Sequence, residues 1–75
     1  MKEYLVEIRL KDWIAGANRV IAYEEVIAVD DYFALHAGFN QFVRKTEHSP
    51  VTRRYWQALN LSYTDICAAD CVQLD

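Results

Sequence analysis

The sequence predicts an α+β domain: a small antiparallel sheet of three to four strands with two helices packed on one face, in β-β-α-α-β order. Three observations carry that expectation. Apolar and charged residues alternate over residues 3–11, which is the two-residue period of a half-buried strand. Apolar residues then recur at helical spacing over 32–43 and again over 51–59, as they do along the buried face of a helix. Between those two stretches stands Ser49-Pro50, a helix cap followed by proline at the first helical position, where its missing N–H costs nothing.

Taken in order, Tyr4, Val6, Ile8 and Leu10 share one face of the first strand. Glu3, Glu7, Arg9 and Lys11 share the other, with Leu5 the exception. Residues 12–18 contain Gly16 and Asn18, which tolerate the positive φ a turn needs. A second strand over 19–26 then places Val20, Ala22 and Val26 with Glu24 on one face. Ile21 and Tyr23 join Arg19 and Glu25 on the other. So short a connection favours an antiparallel hairpin.

Asp30 and Asp31 suit a helix N-terminus, where a carboxylate accepts from free backbone N–H groups and meets the positive dipole end. Tyr32, Leu35, Phe39, Phe42 and Val43 form the stripe behind them. Arg44 and Lys45 fall at the favourable C-terminal end. Gly38 weakens the helix interior by about 1 kcal/mol relative to Ala, and close packing of the helix on the sheet accounts for it. A break is expected over Thr46–Ser49, then a helix from about 50 to 60 with Val51, Tyr55, Ala58 and Leu59 on its inner face. Over 61–75, Leu61, Tyr63, Asp65 and Cys67 alternate with Ser62, Thr64 and Ile66. This region reads as one or two strands, or as one strand broken near Ala68-Ala69.

Seventy-five residues are expected to form a single domain, 1–75. The apolar fraction is 53%, and two Trp, five Tyr and three Phe supply large buried areas, so the chain should fold rather than stay disordered. No apolar run reaches the length of a membrane span or a secretory leader. The expected location is the cytoplasm, with Cys67 and Cys71 reduced.

Catalytic signatures are missing from the sequence. There is no glycine-rich phosphate loop, nucleophile elbow or paired-histidine zinc motif. Cys67 and Cys71 have three residues between them, a spacing that zinc accepts, but His36 and His48 do not pair with them. Two small buried hydrophobes are the favoured reading; a disulfide would need a turn at 68–70. A Cys–His nucleophile would also need an oxyanion hole and an enclosed site, for which the chain is short. Neighbouring carboxylates at Glu24-Glu25 point to opposite faces of a strand, and Asp30-Asp31 reads as a cap. No enzyme activity, metal or cofactor is expected.

Charge is segregated along the chain. Residues 1–31 carry seven acids and four bases, 32–60 one acid and four bases, and 61–75 three acids and no base. The net charge of −3 matches neither a strongly basic nucleic-acid binder nor a DNA mimic. All four central bases, Arg44, Lys45, Arg53 and Arg54, lie around the helix junction with Trp56 beside them. Arg and Trp are enriched at interface hot spots, and Arg clamps phosphate bidentately. These residues are the candidate partner-binding corner; the structural alternative is a solvated corner with Trp56 packed on a neighbouring element. Trp13, in the hairpin loop, either covers the hairpin end or anchors a partner.

In size, acidity and β-β-α-β order the chain resembles small inhibitor proteins of phages and mobile elements, and is similar in outline to anti-CRISPR proteins. That resemblance rests on no diagnostic residues. It implies a compact α+β protein that binds a surveillance complex and blocks target recognition. The expected function is a non-enzymatic protein-binding module whose partner is a protein or nucleoprotein complex. The alternative is a small nucleic-acid-binding domain using the Arg44–Arg54 corner. Either a monomer or a homodimer, paired through an open sheet face or an edge strand, fits the sequence.

Overall fold

The structure is a computed structural model that describes residues 1–11 and 18–74, and for Asn18 the backbone alone. The elements run β1 (Lys2–Lys11), β2 (Asn18–Ala28), α1 (Asp31–His48), α2 (Pro50–Ala58), a short 3₁₀ turn (Tyr63–Asp65) and β3 (Ile66–Gln73). β1 is central in an antiparallel sheet of order β2-β1-β3. The α+β class and the β-β-α-α-β order are as the sequence predicts. The expected turn at 12–17 lies outside the described residues.

The core face of the sheet is built by alternation. Tyr4, Val6 and Ile8 are buried on β1, opposite Val26, Glu24 and Ala22 of β2 and Gln73, Cys71 and Ala68 of β3. Two irregularities interrupt that order. Ile21 is skipped in the β1–β2 register and Ala69 in the β1–β3 register, the extra unpaired residue of a β-bulge. The first moves Val20 opposite Arg9, off the face that simple alternation assigns it. The second replaces the expected break at Ala68-Ala69 with one continuous strand.

Asp30 caps α1: its Oδ1 accepts from Phe33 N at 3.0 Å. The helix runs to His48, so the expected break over Thr46–Ser49 shrinks to Ser49 alone. Thr46 is buried inside the helix, its hydroxyl donating to the Phe42 carbonyl. Ser49 ends α1 and caps α2, with its Oγ accepting from Thr52 N and Pro50 at the first helical position.

Both helical stripes read from the sequence need correction. α1 buries Ala34, Gly38 and Thr46, while Leu35, Phe39 and Phe42 are half-buried and Tyr32 is exposed. At 3.6 residues per turn Phe42 shares the four-residue row of Ala34, Gly38 and Thr46, and Leu35, Phe39 and Tyr32 all fall to one side of it. A Cβ on Gly38 would fall 2.7 Å from Val6 Cβ, so the helix lies against β1 at a distance that only glycine permits. On α2 the buried residue is Trp56, not the expected face; Val51, Tyr55, Ala58 and Leu59 are exposed. Trp56 packs against Phe42 and Tyr63 with ring centroids 5.8 and 5.5 Å away. It closes the end of the core near Leu10 and Leu61.

The expected strand character of Leu61–Asp65 also fails. Ser62 and Asp65 form a reciprocal cap, Ser62 N donating to Asp65 Oδ2 at 2.8 Å, and that closes a 3₁₀ turn instead.

Candidate interaction surfaces

The α1 layer covers one side of the sheet and leaves the other bare. The molecule spans 38 × 30 × 15 Å, the depth of one helix on one sheet. Its accessible surface is 5329 Å², against about 4,800 Å² for a monomer of this mass.

On the bare face, β1 contributes Glu3, Leu5, Glu7 and Arg9, and β2 contributes Tyr23, Glu25 and Ile27. Asp70 and Val72 come from β3. Placing β1 in the middle therefore brings Glu3, Glu7 and Glu25 of the first segment and Asp70 of the last onto one surface. Leu5 on the central strand and Tyr23, Ile27 and Val72 on the two outer strands interleave with these charges, with Tyr23 55% and Ile27 62% exposed. Arg9 is the internal counter-charge: its guanidinium donates to Glu7 Oε2 at 2.8 and 3.3 Å. The Glu7 bond and charge, with Asp70 further off, hold the guanidinium pKa above its ordinary value.

The basic corner is thinner than the sequence suggests. Lys45 donates to Glu24 Oε2 at 2.9 Å while its own side chain stays 65% exposed. Glu24 is 4% exposed on the core face of β2, and its Oε1 has no hydrogen-bond partner. Lys45 therefore neutralises a buried carboxylate. Arg44, Arg53 and Arg54 are exposed. His48 Nδ1 lies 2.9 Å from the Arg44 carbonyl oxygen and must donate to it, since a carbonyl only accepts. The Tyr63 hydroxyl bonds Glu47; its pKa is raised by desolvation first and by that carboxylate second, and lowered a little by Arg53. Trp56 is 8% exposed and belongs to the core, which corrects its reading as an exposed anchor. Trp13 lies outside the described residues.

The cysteines do not converge. Cys67 pairs with Arg9 on the bare side and Cys71 with Val6 on the core side; both are free thiols. Cys71 Sγ lies 3.8 Å from the Asp31 carbonyl oxygen. Burial, then the charges of Asp31 and Asp70, push its thiol pKa up, away from the thiolate that nucleophilic chemistry needs. His36 stacks edge-on against Tyr32 at 4.7 Å. It borders with Cys67 an open groove of about 460 Å³, in which no hydrogen bond between the two is found among the described residues. No group of three or more His, Cys, Asp or Glu suited to a metal ion occurs among the described residues. No helix is long and apolar enough to cross a membrane.

Comparison with protein families, with curated proteins and with solved structures finds no match.

The sequence already separates the acids from the bases. It does not show that Glu3, Glu7 and Glu25 share one surface with Asp70, because that depends on strand order. The only signal available was the parity of Glu3, Glu7 and Glu25 with Leu5 and Tyr23.

Proposed function

We propose that this domain is a stoichiometric protein-binding module that lays its bare sheet face on a basic surface of another protein. The observation that supports this best is the composition of that face: the carboxylates of Glu3, Glu7, Glu25 and Asp70 alternate across the three strands with the apolar side chains of Leu5, Tyr23, Ile27 and Val72. The apolar side chains supply contact area, and the acidic sign of the face selects a Lys/Arg-lined partner. Protein surfaces that hold nucleic acid are lined that way. Covering one would block a nucleoprotein complex from its target, the action of an anti-CRISPR-like inhibitor, and it needs no enclosed reactive centre.

The nucleic-acid-binding alternative is weakened by two placements. Lys45 is committed to Glu24, and Trp56 is buried where no base reaches it. Arg44, Arg53 and Arg54 remain as a smaller secondary contact.

The test compares wild type with Asp70→Lys/Val72→Lys as immobilised bait for host lysate, with mass spectrometry of what is retained. The expected result is a basic nucleic-acid-handling protein held by wild type, released by salt and lost from the variant. Retention of the same protein by the folded variant would reject the sheet face. Loss of retention with Arg53→Glu/Arg54→Glu alone would move the interface to the corner. A gel shift at low salt would restore the alternative.

A further inference from the structure

The two edges of the sheet are finished differently. Leu74 N donates to Glu3 O at 2.9 Å, so the odd-numbered residues of β1 direct their backbone groups toward β3. Alternation then sends the even-numbered ones to β2. On β2 the residues opposite them, Ala22, Glu24 and Val26, bond inward. The N–H and C=O groups of Tyr23, Glu25 and Ile27 point off the free edge. Gln41 fits this orientation: its Nε2 reaches over from α1 and donates to Glu25 O at 3.2 Å, capping that one acceptor, so a pairing strand's N–H must share the carbonyl's second lone pair or displace the Gln41 side chain.

By the same alternation β3 turns the backbone of Cys71 outward, and there the edge is closed. The Asp70 carboxylate takes the Cys71 N–H at 2.9 Å, and the bulge at Ala69 kinks the strand just before it. Side-chain caps and bulges are how proteins prevent strand addition. β2 has its bulge only at Ile21, leaving the stretch from Tyr23 to Ile27 regular.

Apolar exposure follows the open edge. Val20, Ile21, Tyr23 and Ile27 are all exposed on β2, whereas β3 exposes one large apolar side chain, Val72. Tyr55 and Leu59 of α2 border Val20 and Ile21 at one end, and Phe33 of α1 borders Ile27 at the other. The charged side chains exposed on the strand are few, Arg19 and Glu25, and opposite in sign.

We infer that β2 pairs antiparallel with β2 of a second copy of this chain, making one six-stranded sheet across a two-fold axis. An antiparallel pair of identical strands is self-complementary, which an isologous contact requires. The charge balance also selects a copy. The bare face is acidic and repels itself, while the β2 side is apolar and nearly neutral. This inference does not rest on the proposed function.

Sedimentation velocity of the full chain from about 1 μM to about 1 mM tests it. The expected mass rises from 8.8 kDa to twice that value. Tyr23→Lys/Ile27→Lys should stay at the monomer mass with unchanged circular dichroism, and Asp70→Lys/Val72→Lys should dimerise like wild type. Should the lysine variant unfold, Glu25→Pro serves instead, because it removes an N–H that the β1–β2 ladder does not use. Amide exchange supplies a variant-free readout: the Tyr23, Glu25 and Ile27 N–H groups should gain protection as concentration rises. Wild type at 8.8 kDa throughout, a dimer that survives the β2 changes, or open exchange at those amides at every concentration would overturn the pairing. A monomer that still captures a basic partner rejects the dimer alone. A dimer that captures none rejects the function alone.

Discussion

α1 and α2 are held to the same core by opposite means. α1 comes down on β1 along the row of Ala34, Gly38, Phe42 and Thr46, closest where Gly38 meets Val6, and Leu35 and Phe39 fall to one side. α2 stands further off and is held by one large side chain, Trp56, wedged between Phe42 and Tyr63. Close approach spreads the helix's burial over many shallow contacts. A single wedge concentrates it in one residue. The two helices should therefore fail differently when altered.

The sharpest way to break the comparison is Trp56→Ala. Truncating a buried Trp costs about 3–5 kcal/mol, a large part of the ~4–11 kcal/mol expected for a domain of this size. Urea denaturation should show a largely unfolded protein or a midpoint near zero denaturant. A loss under about 1 kcal/mol would mean that α2 has another anchor.

Next in size is Lys45→Met. Among the described residues α1 has an ionic contact, the Lys45–Glu24 pair, and α2 has none; loss of the pair leaves a buried carboxylate unpaired at a cost of about 1–3 kcal/mol. Adding Glu24→Gln should recover part of that loss. A strictly additive double variant would show that the pair contributes nothing.

The smallest effect is expected from Gly38→Ala. Overpacking against Val6 costs about 1–3 kcal/mol, and the better helix propensity of Ala returns about 1 kcal/mol. Thermal melts should show a net loss of about 1 kcal/mol, smaller in a Val6→Ala background where two of the three close atoms are gone. A stabilised Gly38→Ala would mean that the helix shifts freely on the sheet, and the contrast with α2 would collapse.

The same contrast explains what could be read from the sequence. The hairpin strands, the Asp30 and Ser49 caps and the helix at Pro50 were legible because each depends on neighbours within a few residues. The helical faces were not. Hydrophobic stripes are drawn through large residues, whereas α1 meets the sheet where its residues are smallest. On α2 the stripe through Val51, Tyr55 and Leu59 outvotes one tryptophan. Position along the chain gives no sign of the bulges at Ile21 and Ala69, which re-aim the residues beyond them. The acidic face was half legible: parity grouped Glu3, Glu7 and Glu25 with Leu5 and Tyr23, but the register with Asp70 and Val72 is a long-range pairing. The basic corner misled because the Lys45 ammonium is paired with Glu24, 21 residues earlier.

The central position of β1 has a consequence for how the chain comes off the ribosome. It is synthesised before β2, and its other partner, β3, follows both helices. The hairpin with β2 can close early, because its contacts are local. The opposite flank of β1 must wait, with its amides unpaired, until residues 66–73 have emerged. Pairings that distant close slowly, and an unpaired strand side invites the wrong neighbour meanwhile. A nascent chain stalled before β3 is thus a sheet with its middle strand exposed, a target for chaperones or for aggregation.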